Sequence, residues 1–182
     1  MSLQAAQAAL ARRDFVGARR AAAAVLLAFP NDAAASQILG IVALELGELD
    51  LAKQHLRRSD AAAPGQPHTL NALGVLCRRS GKLDDARRLF ARAGERGSID
   101  GWRNLGALES NAGDVSASAR AYERAIELNA DDAASHAGLA QALELAHQVD
   151  RAREHASRAI ALEPSNETAA LTLANLCLRE GN

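Results

Sequence analysis

Apolar and small residues along this chain fall into two alternating stripes. In one stretch the informative positions lie at i, i+3, i+4 and i+7 (Trp102, Leu105, Gly106, Glu109), and just beyond it at i, i+3, i+7 and i+10 (Val115, Ser118, Tyr122, Ala125). Each set marks one face of a helix. Between them, Gly113 permits a tight turn, and Asp114 sits at the start of the second helix, where the helix dipole favours negative charge. The pattern predicts a helical hairpin.

The hairpin recurs from end to end. Leu39-Gly40, Leu73-Gly74, Leu105-Gly106, Leu139-Ala140 and Leu173-Ala174 follow one another at spacings of 34, 32, 34 and 34 residues. Seven places beyond each small residue come Gly47, Gly81, Gly113 and His147. Two places later an apolar residue follows (Leu49, Leu83, Val115, Val149), then a small one (Ala52, Ala86, Ser118, Ala152), then Leu56, Phe90, Tyr122 and Ala156. Phe15, Ala18, Ala22, Val25 and Pro30 keep the same register near the N-terminus. The chain therefore reads as one domain over residues 1–182, with units at about 1–32, 33–66, 67–98, 99–132 and 133–166 and a partial unit at 167–182. The third unit is two residues short, in Gly94-Glu-Arg-Gly97-Ser98, so the hairpin carrying Trp102 is expected to dock at an altered angle.

One hairpin cannot bury both of its stripes, and stacked neighbours must cover them, which gives an all-α, right-handed superhelical solenoid. The small slots (Gly40, Gly74, Gly106 and Ala140 on first helices; Ala52, Ala86, Ser118 and Ala152 on second helices) are expected where two backbones approach closely. The period, the Trp-x-x-Leu-Gly element at Trp102 to Gly106, the Ala-x-x-x-Phe element at Ala86 to Phe90 and the closing Pro64 and Pro164 together resemble the tetratricopeptide repeat. The resemblance covers essentially the whole chain.

Composition narrows the function classes. Aromatic residues are only 3% and the formal net charge is −1, which disfavours a broad phosphate-binding surface and hence nucleic acid. No apolar run approaches the ~20 residues of a spanning helix, so membrane insertion is not expected. Cys77 and Cys177 share one slot in different units and read as buried, inert thiols in a reducing, cytoplasmic setting. Arg12-Arg13 before an apolar run has the look of a twin-arginine leader, but Asp14, Phe15, Ala18 and Pro30 are better explained by the repeat.

Candidate chemistry is sparse. Gly74 to Lys82 has six residues between its glycines and Leu83 after the Lys, where a phosphate loop needs four and a Ser or Thr. Glu144 and His147 have the spacing of a di-iron ligand pair but lack a second pair. His68, His136 and His155 read as scattered over different units. There is no Gly-x-Ser-x-Gly elbow. The expectation is a non-enzymatic protein without cofactor or metal, of bacterial type.

In tetratricopeptide proteins the first helices line a concave groove that takes peptides or partner helices. Carried over slot by slot, the resemblance implies that Gln37, Ile41, Leu44, Asn71, Val75, Arg78, Arg103, Asn104, Ala107, Ser110, Gln141, Glu144, Leu171 and Asn175 face it, with His68 at the rim. Arg and amide side chains favour a polar or acidic peptide. Of the family's carboxylate-clamp positions only Asn104 is filled, which disfavours chaperone C-termini. The expected function is a scaffold binding a peptide or partner protein in this groove. The alternative is the recognition arm of a larger enzyme, a sulfotransferase, glycosyltransferase or hydroxylase, with its catalytic domain beyond residue 182. Leu171, Leu173, Leu176 and Leu178 make the last helix apolar, which suggests a fragment of a longer chain or self-association through that helix.

Overall fold

The computed structural model describes residues 2–180; Met1 at the start of the first expected unit, and Gly181 and Asn182 at the end of the partial one, lie outside them. Among the described residues there are eleven helices: α1 (Leu3–Ala11), α2 (Phe15–Ala28), α3 (Ala33–Glu45), α4 (Leu49–Ala62), α5 (Pro67–Arg79), α6 (Leu83–Glu95), α7 (Ile99–Ala112), α8 (Val115–Leu128), α9 (Ala133–Leu145), α10 (Val149–Leu162) and α11 (Glu167–Glu180). They fit five hairpins and one further helix.

Local chemistry sets the ends. Asp14, Asp32, Asp114 and Asp132 accept the backbone N–H groups of Gly17, Ala35, Ala117 and Ser135, capping α2, α3, α8 and α9. Such caps satisfy donors that the first turn of a helix leaves unpaired. Pro67 opens α5, where its missing N–H costs nothing. At the turn inside each hairpin one residue is left-handed: Gly47, Gly81 and Gly113 at φ +76°, +73° and +82°, with Arg13 and His147 at 59° and 58° in the same role. The next residue then donates back across the turn, as in Glu48 to Ala43 (2.8 Å), Lys82 to Cys77 (2.9 Å) and Asp114 to Glu109 (3.0 Å). This 6→1 bond closes the first helix.

Packing follows a size rule inside the hairpins. A Cβ added at Gly40 would lie 2.6 Å from Leu56, at Gly74 2.5 Å from Phe90, and at Gly106 2.8 Å from Tyr122. Where the first helix carries Ala140 instead, its partner slot holds Ala156, and both are fully buried. The glycines on the first helices thus make room for a large side chain on the second, chiefly a side-chain fit rather than the backbone contact expected from the small slots. Ala52, Ala86 and Ala152, at 0% exposure, remain the points with no room to grow.

Packing divides the chain into two compact units, Met1–Ala93 and Gly94–Asn182. The division falls beside the shortened repeat. In the first unit one core joins Ala6, Ala18, Ala22, Val25, Ile38 and Val42, and another joins Ala43, Leu44, Ala52, Leu56, Ala72 and Leu76. In the second, Ala137, Ala140, Ala156 and Ala169 form one core and Leu139, Leu143, Ala152 and Leu176 another. Arg151 to Glu123 (3.0 Å) and Arg158 to Asp131 (2.5 Å) tie successive hairpins of the second unit at the surface.

The cysteine expectation needs correction. Cys77 is only half-buried and Cys177 is exposed. Ala43 and Leu143, in the equivalent positions, are buried and share cores with residues of the next first helix, α5 and α11 respectively, but no described helix follows α11 to cover Cys177.

Candidate first-helix binding faces

In the first unit, α3 and α5 lie side by side and present matching slots. Gln37 and Asn71 begin the row, Ile41 and Val75 follow, and Leu44 and Arg78 end it. Ile41 and Val75 are half-buried, packed at the edge of the second core. Leu44 is buried, at 3% exposure, and offers its carbonyl to Arg79. Arg79 also lies 4.0 Å from Glu45. Arg78, one residue earlier, is half-buried and has no ion-pair partner among the described residues. His68 is exposed at the first turn of α5.

In the second unit α7, α9 and α11 supply the remaining candidates, and two of the charged ones are already engaged. Arg103 contacts Asp100 and reaches Asp132 at 3.2 Å, while Asp132 also caps α9. Arg103 is therefore a brace between repeats, not a free cation waiting for a carboxylate. Its charge also draws down the Tyr122 hydroxyl, though burial dominates and holds that pKa above its ordinary value. Glu144 is 5% exposed and pairs with Arg179 at 3.4 Å. What remains outward on this side is Gln141, exposed, with Asn104, Ala107, Ser110 and Asn175 half-buried. Leu171 and Leu178 on the apolar last helix are exposed, at 62% and 77%.

Two features escaped the pattern reading. His136 and His155 belong to one hairpin, and their rings stack at 5.1 Å between centroids, with Nδ1 to Nδ1 at 2.9 Å. His136 Nε2 lies 3.0 Å from the Ala130 carbonyl and must donate to it, so in the neutral pair His136 Nδ1 accepts and His155 Nδ1 donates. Burial first, and then His136, push the His155 pKa down. Two rings do not make a metal site: among the described residues no group of three His, Cys, Asp or Glu side chains could hold an ion. The second feature is a cleft of about 620 Å³ between α4, α5 and α6, which includes Cys77. Burial, reinforced by Asp85, raises the thiol pKa there against the opposing pull of Lys82 and Arg57. No described helix is long and apolar enough to cross a membrane.

Stacked helical hairpins with glycine turns and open first-helix faces define a repeat-solenoid class of protein. The tetratricopeptide repeat family model matches residues 3–67 and 103–167. The chain belongs to the tetratricopeptide repeat family. Among solved structures it is similar to Pseudomonas aeruginosa pilF, at TM-score 0.85 and 19% identity over 98% of this chain and 82% of that one. The APC/C hetero-tetramer Cut9-Hcn1 aligns at TM-score 0.82 and 22% identity over 94% of this chain; the chain spans 35% of its length. YrrB, described as a TPR protein with an unusual peptide-binding site, aligns at TM-score 0.65 and 16% identity over 93% of this chain and 88% of that one. No curated protein sequence matches. At these identities the structures speak for the fold: all-α, of the tetratricopeptide solenoid type. It is a fold consistent with a protein–protein interaction scaffold and typically non-catalytic.

Proposed function

We propose that the chain is a non-enzymatic scaffold that holds a peptide or partner protein on its first-helix faces, with a preference for polar or acidic segments. The observation that carries this reading is the row on α3 and α5. There the apolar Ile41 and Val75 lie half-buried at the edge of the second core, and Val75 stands one turn before Arg78, which has no ion-pair partner among the described residues. An extended segment laid there gains apolar contact from Ile41 and Val75, amide hydrogen bonds from Gln37, and a charge-assisted bond from Arg78. YrrB, a relative in fold, has a peptide-binding site, which supports the same use of this scaffold. On the second unit the reading rests on Gln141, Ser110 and Asn175 rather than on Arg103 and Glu144, whose charges are spent internally.

A photo-crosslinking amino acid placed singly at Gln37, Val75 and Gln141, and for comparison at the outward Arg58 and Arg120, tests it in cells. Adducts to the same protein from the first three positions, absent from the other two and weakened by Arg78→Glu at unchanged melting temperature, are expected. Equal adducts from both sets would remove the first-helix faces as the binding surface.

A further inference from the structure

Eleven residues after the start of each second helix stand Leu26, Asp60, Gly94, Ile126 and Ile160. Leu26, Ile126 and Ile160 lie half-buried against their neighbouring cores. At Gly94 the Trp102 ring takes up the space. Asp60 cannot fill an apolar seam, and its carboxylate accepts the Gly65 N–H at 3.0 Å instead. Beside it opens the cleft of about 620 Å³, with Leu49, Leu73, Leu76 and Leu89 among its walls.

The charges around this opening differ from those in the second unit. There, Glu123 on α8 and Arg151 on α10 pair at 3.0 Å. In the corresponding places the first unit has Arg57 and Asp85, but Asp85 contacts Arg88 on its own helix. Lys53, Arg57, Lys82 and Arg92 line the cleft without an ion-pair partner among the described residues. Of the three acids in the lining, Asp85 is paired with Arg88, which leaves Asp50 in the first turn of α4 and Asp60, bonded to the Gly65 N–H, against these four cations. A cationic rim thus surrounds an apolar floor.

We propose that this cleft is a second docking site for an acidic peptide segment carrying one bulky apolar side chain. That side chain enters the volume which Leu or Ile fills in other hairpins, and carboxylates on either side of it meet Lys53, Arg57 and Arg92. The proposal rests on the chain being a protein-binding scaffold, but it uses a different surface. At 3.6 residues per turn, Leu73, Leu76 and Cys77 lie on the side of α5 opposite Asn71, Val75 and Arg78. Charge complementarity selects an acidic partner, and the leucine floor separates it from a bare anion.

Cys77 reports on occupancy. In the 182-residue chain carrying Cys177→Ser it is the one remaining thiol, and its reaction with a maleimide can be followed against a synthetic peptide array. The array holds hexamers with Asp or Glu at both ends and Leu, Ile, Met, Phe or Trp at the centre. Controls carry Gly at the centre or Lys at the ends, and inorganic phosphate is tested alone. Acidic, apolar-centred hexamers are expected to slow labelling several-fold and to weaken about tenfold as salt rises to roughly 0.3 M. Asp60→Leu, which restores the missing side chain, is expected to abolish protection, and so is the exposed Arg57→Glu, which tests the rim without touching the core. Arg78→Glu, on the other side of α5, is expected to leave protection intact. The proposal fails if no hexamer protects Cys77, if glycine-centred hexamers or phosphate protect equally, or if Arg78→Glu alone removes protection. Failure here with first-helix crosslinks intact removes the cleft and leaves the scaffold reading standing; the reverse pattern removes the first-helix faces instead.

Discussion

Gly74→Ala adds one carbon at the point where α5 meets Phe90, and the structure fixes how it is received. The new Cβ would lie 2.5 Å from Cε1 and 2.6 Å from Cδ1 of the ring, whereas carbon atoms rest at about 3.5–4.0 Å. The ring would have to move by about 1 Å to restore that spacing. Phe90 is fully buried, so it has no open side to move into. Overpacking of this kind costs about 1–3 kcal/mol. Against it stands the gain of about 1 kcal/mol from replacing Gly by Ala in a helix interior. The expected net effect is a loss of up to about 2 kcal/mol, and each kcal/mol lost lowers the melting temperature by about 2–4 °C in a chain of this size. Urea titration and thermal melts of Gly74→Ala, Phe90→Ala and the double variant complete the test. Without the ring, the same Gly74→Ala change should turn stabilising, because only the helix-propensity gain remains and the new methyl fills part of the cavity. Ala140 opposite Ala156 is the natural form of that pairing. A stabilising Gly74→Ala in the parent protein, or the same sign in both backgrounds, would refute the size rule inside the hairpins.

His147→Gly should stabilise by about 0.5–1 kcal/mol, because the left-handed backbone at φ 58° strains any residue with a Cβ by about 1–2 kcal/mol, and part of that relief is lost to the greater freedom of unfolded Gly. The urea midpoint should rise at constant slope; a lower midpoint would mean that the His147 side chain makes a contact worth more than its strain. The histidines give a pH dependence of definite sign. His155 is shifted down by burial and by His136, with Arg151 adding to the shift and Glu154 and Glu123 opposing it; His55 is shifted down by burial, Arg58 and Arg19. The folded state therefore binds fewer protons than the unfolded one between the lowered values and about pH 6.5. Stability is full above that window and falls as the pH drops through it. His155→Gln should flatten the part of the slope that belongs to the second unit and leave the His55 part; an unchanged slope would exclude the stacked pair as its source.

The hairpins were legible because their signals are local. Gly47, Gly81 and Gly113 sit where a left-handed turn is needed, and Asp14, Asp32, Asp114 and Asp132 sit where a cap is needed, so each boundary is written within a few residues of itself. Pairings across helices were not legible in the same way. Arg103 meets Asp132 across 29 residues, and His136 meets His155 across 19. Both depend on the rotation of one helix about its axis relative to another, which periodicity constrains only to within a side chain's reach. Cys177 misled because its slot is buried at Ala43 and Leu143 by the next first helix, and no described helix follows α11. Asp60 did carry a signal: an acid in a column otherwise held by Leu26, Ile126, Ile160 and a glycine. Alignment on the small residues alone passes over that column.

The same comparison explains why function should be sought at departures from the repeat and not in its most regular positions. Gly74 and Phe90 are committed to each other, Asp132 to its cap and to Arg103, and Glu144 to Arg179; altering any of them changes the hairpin before it changes a ligand. A residue free to recognise a partner must be one that the stacking does not require. In the first unit those residues gather around α5: Arg78 on one side, and Lys53, Arg57 and Arg92 above the leucine floor on the other. Asp60 leaves its seam without the apolar contact that Ile126 and Ile160 provide, and a buried aliphatic side chain is ordinarily worth about 1.5–3 kcal/mol. Filling that seam from within or from a partner should therefore stabilise the first unit. Asp60→Leu and a bound acidic peptide are then competing ways of supplying the same contact, and a single molecule should not benefit from both.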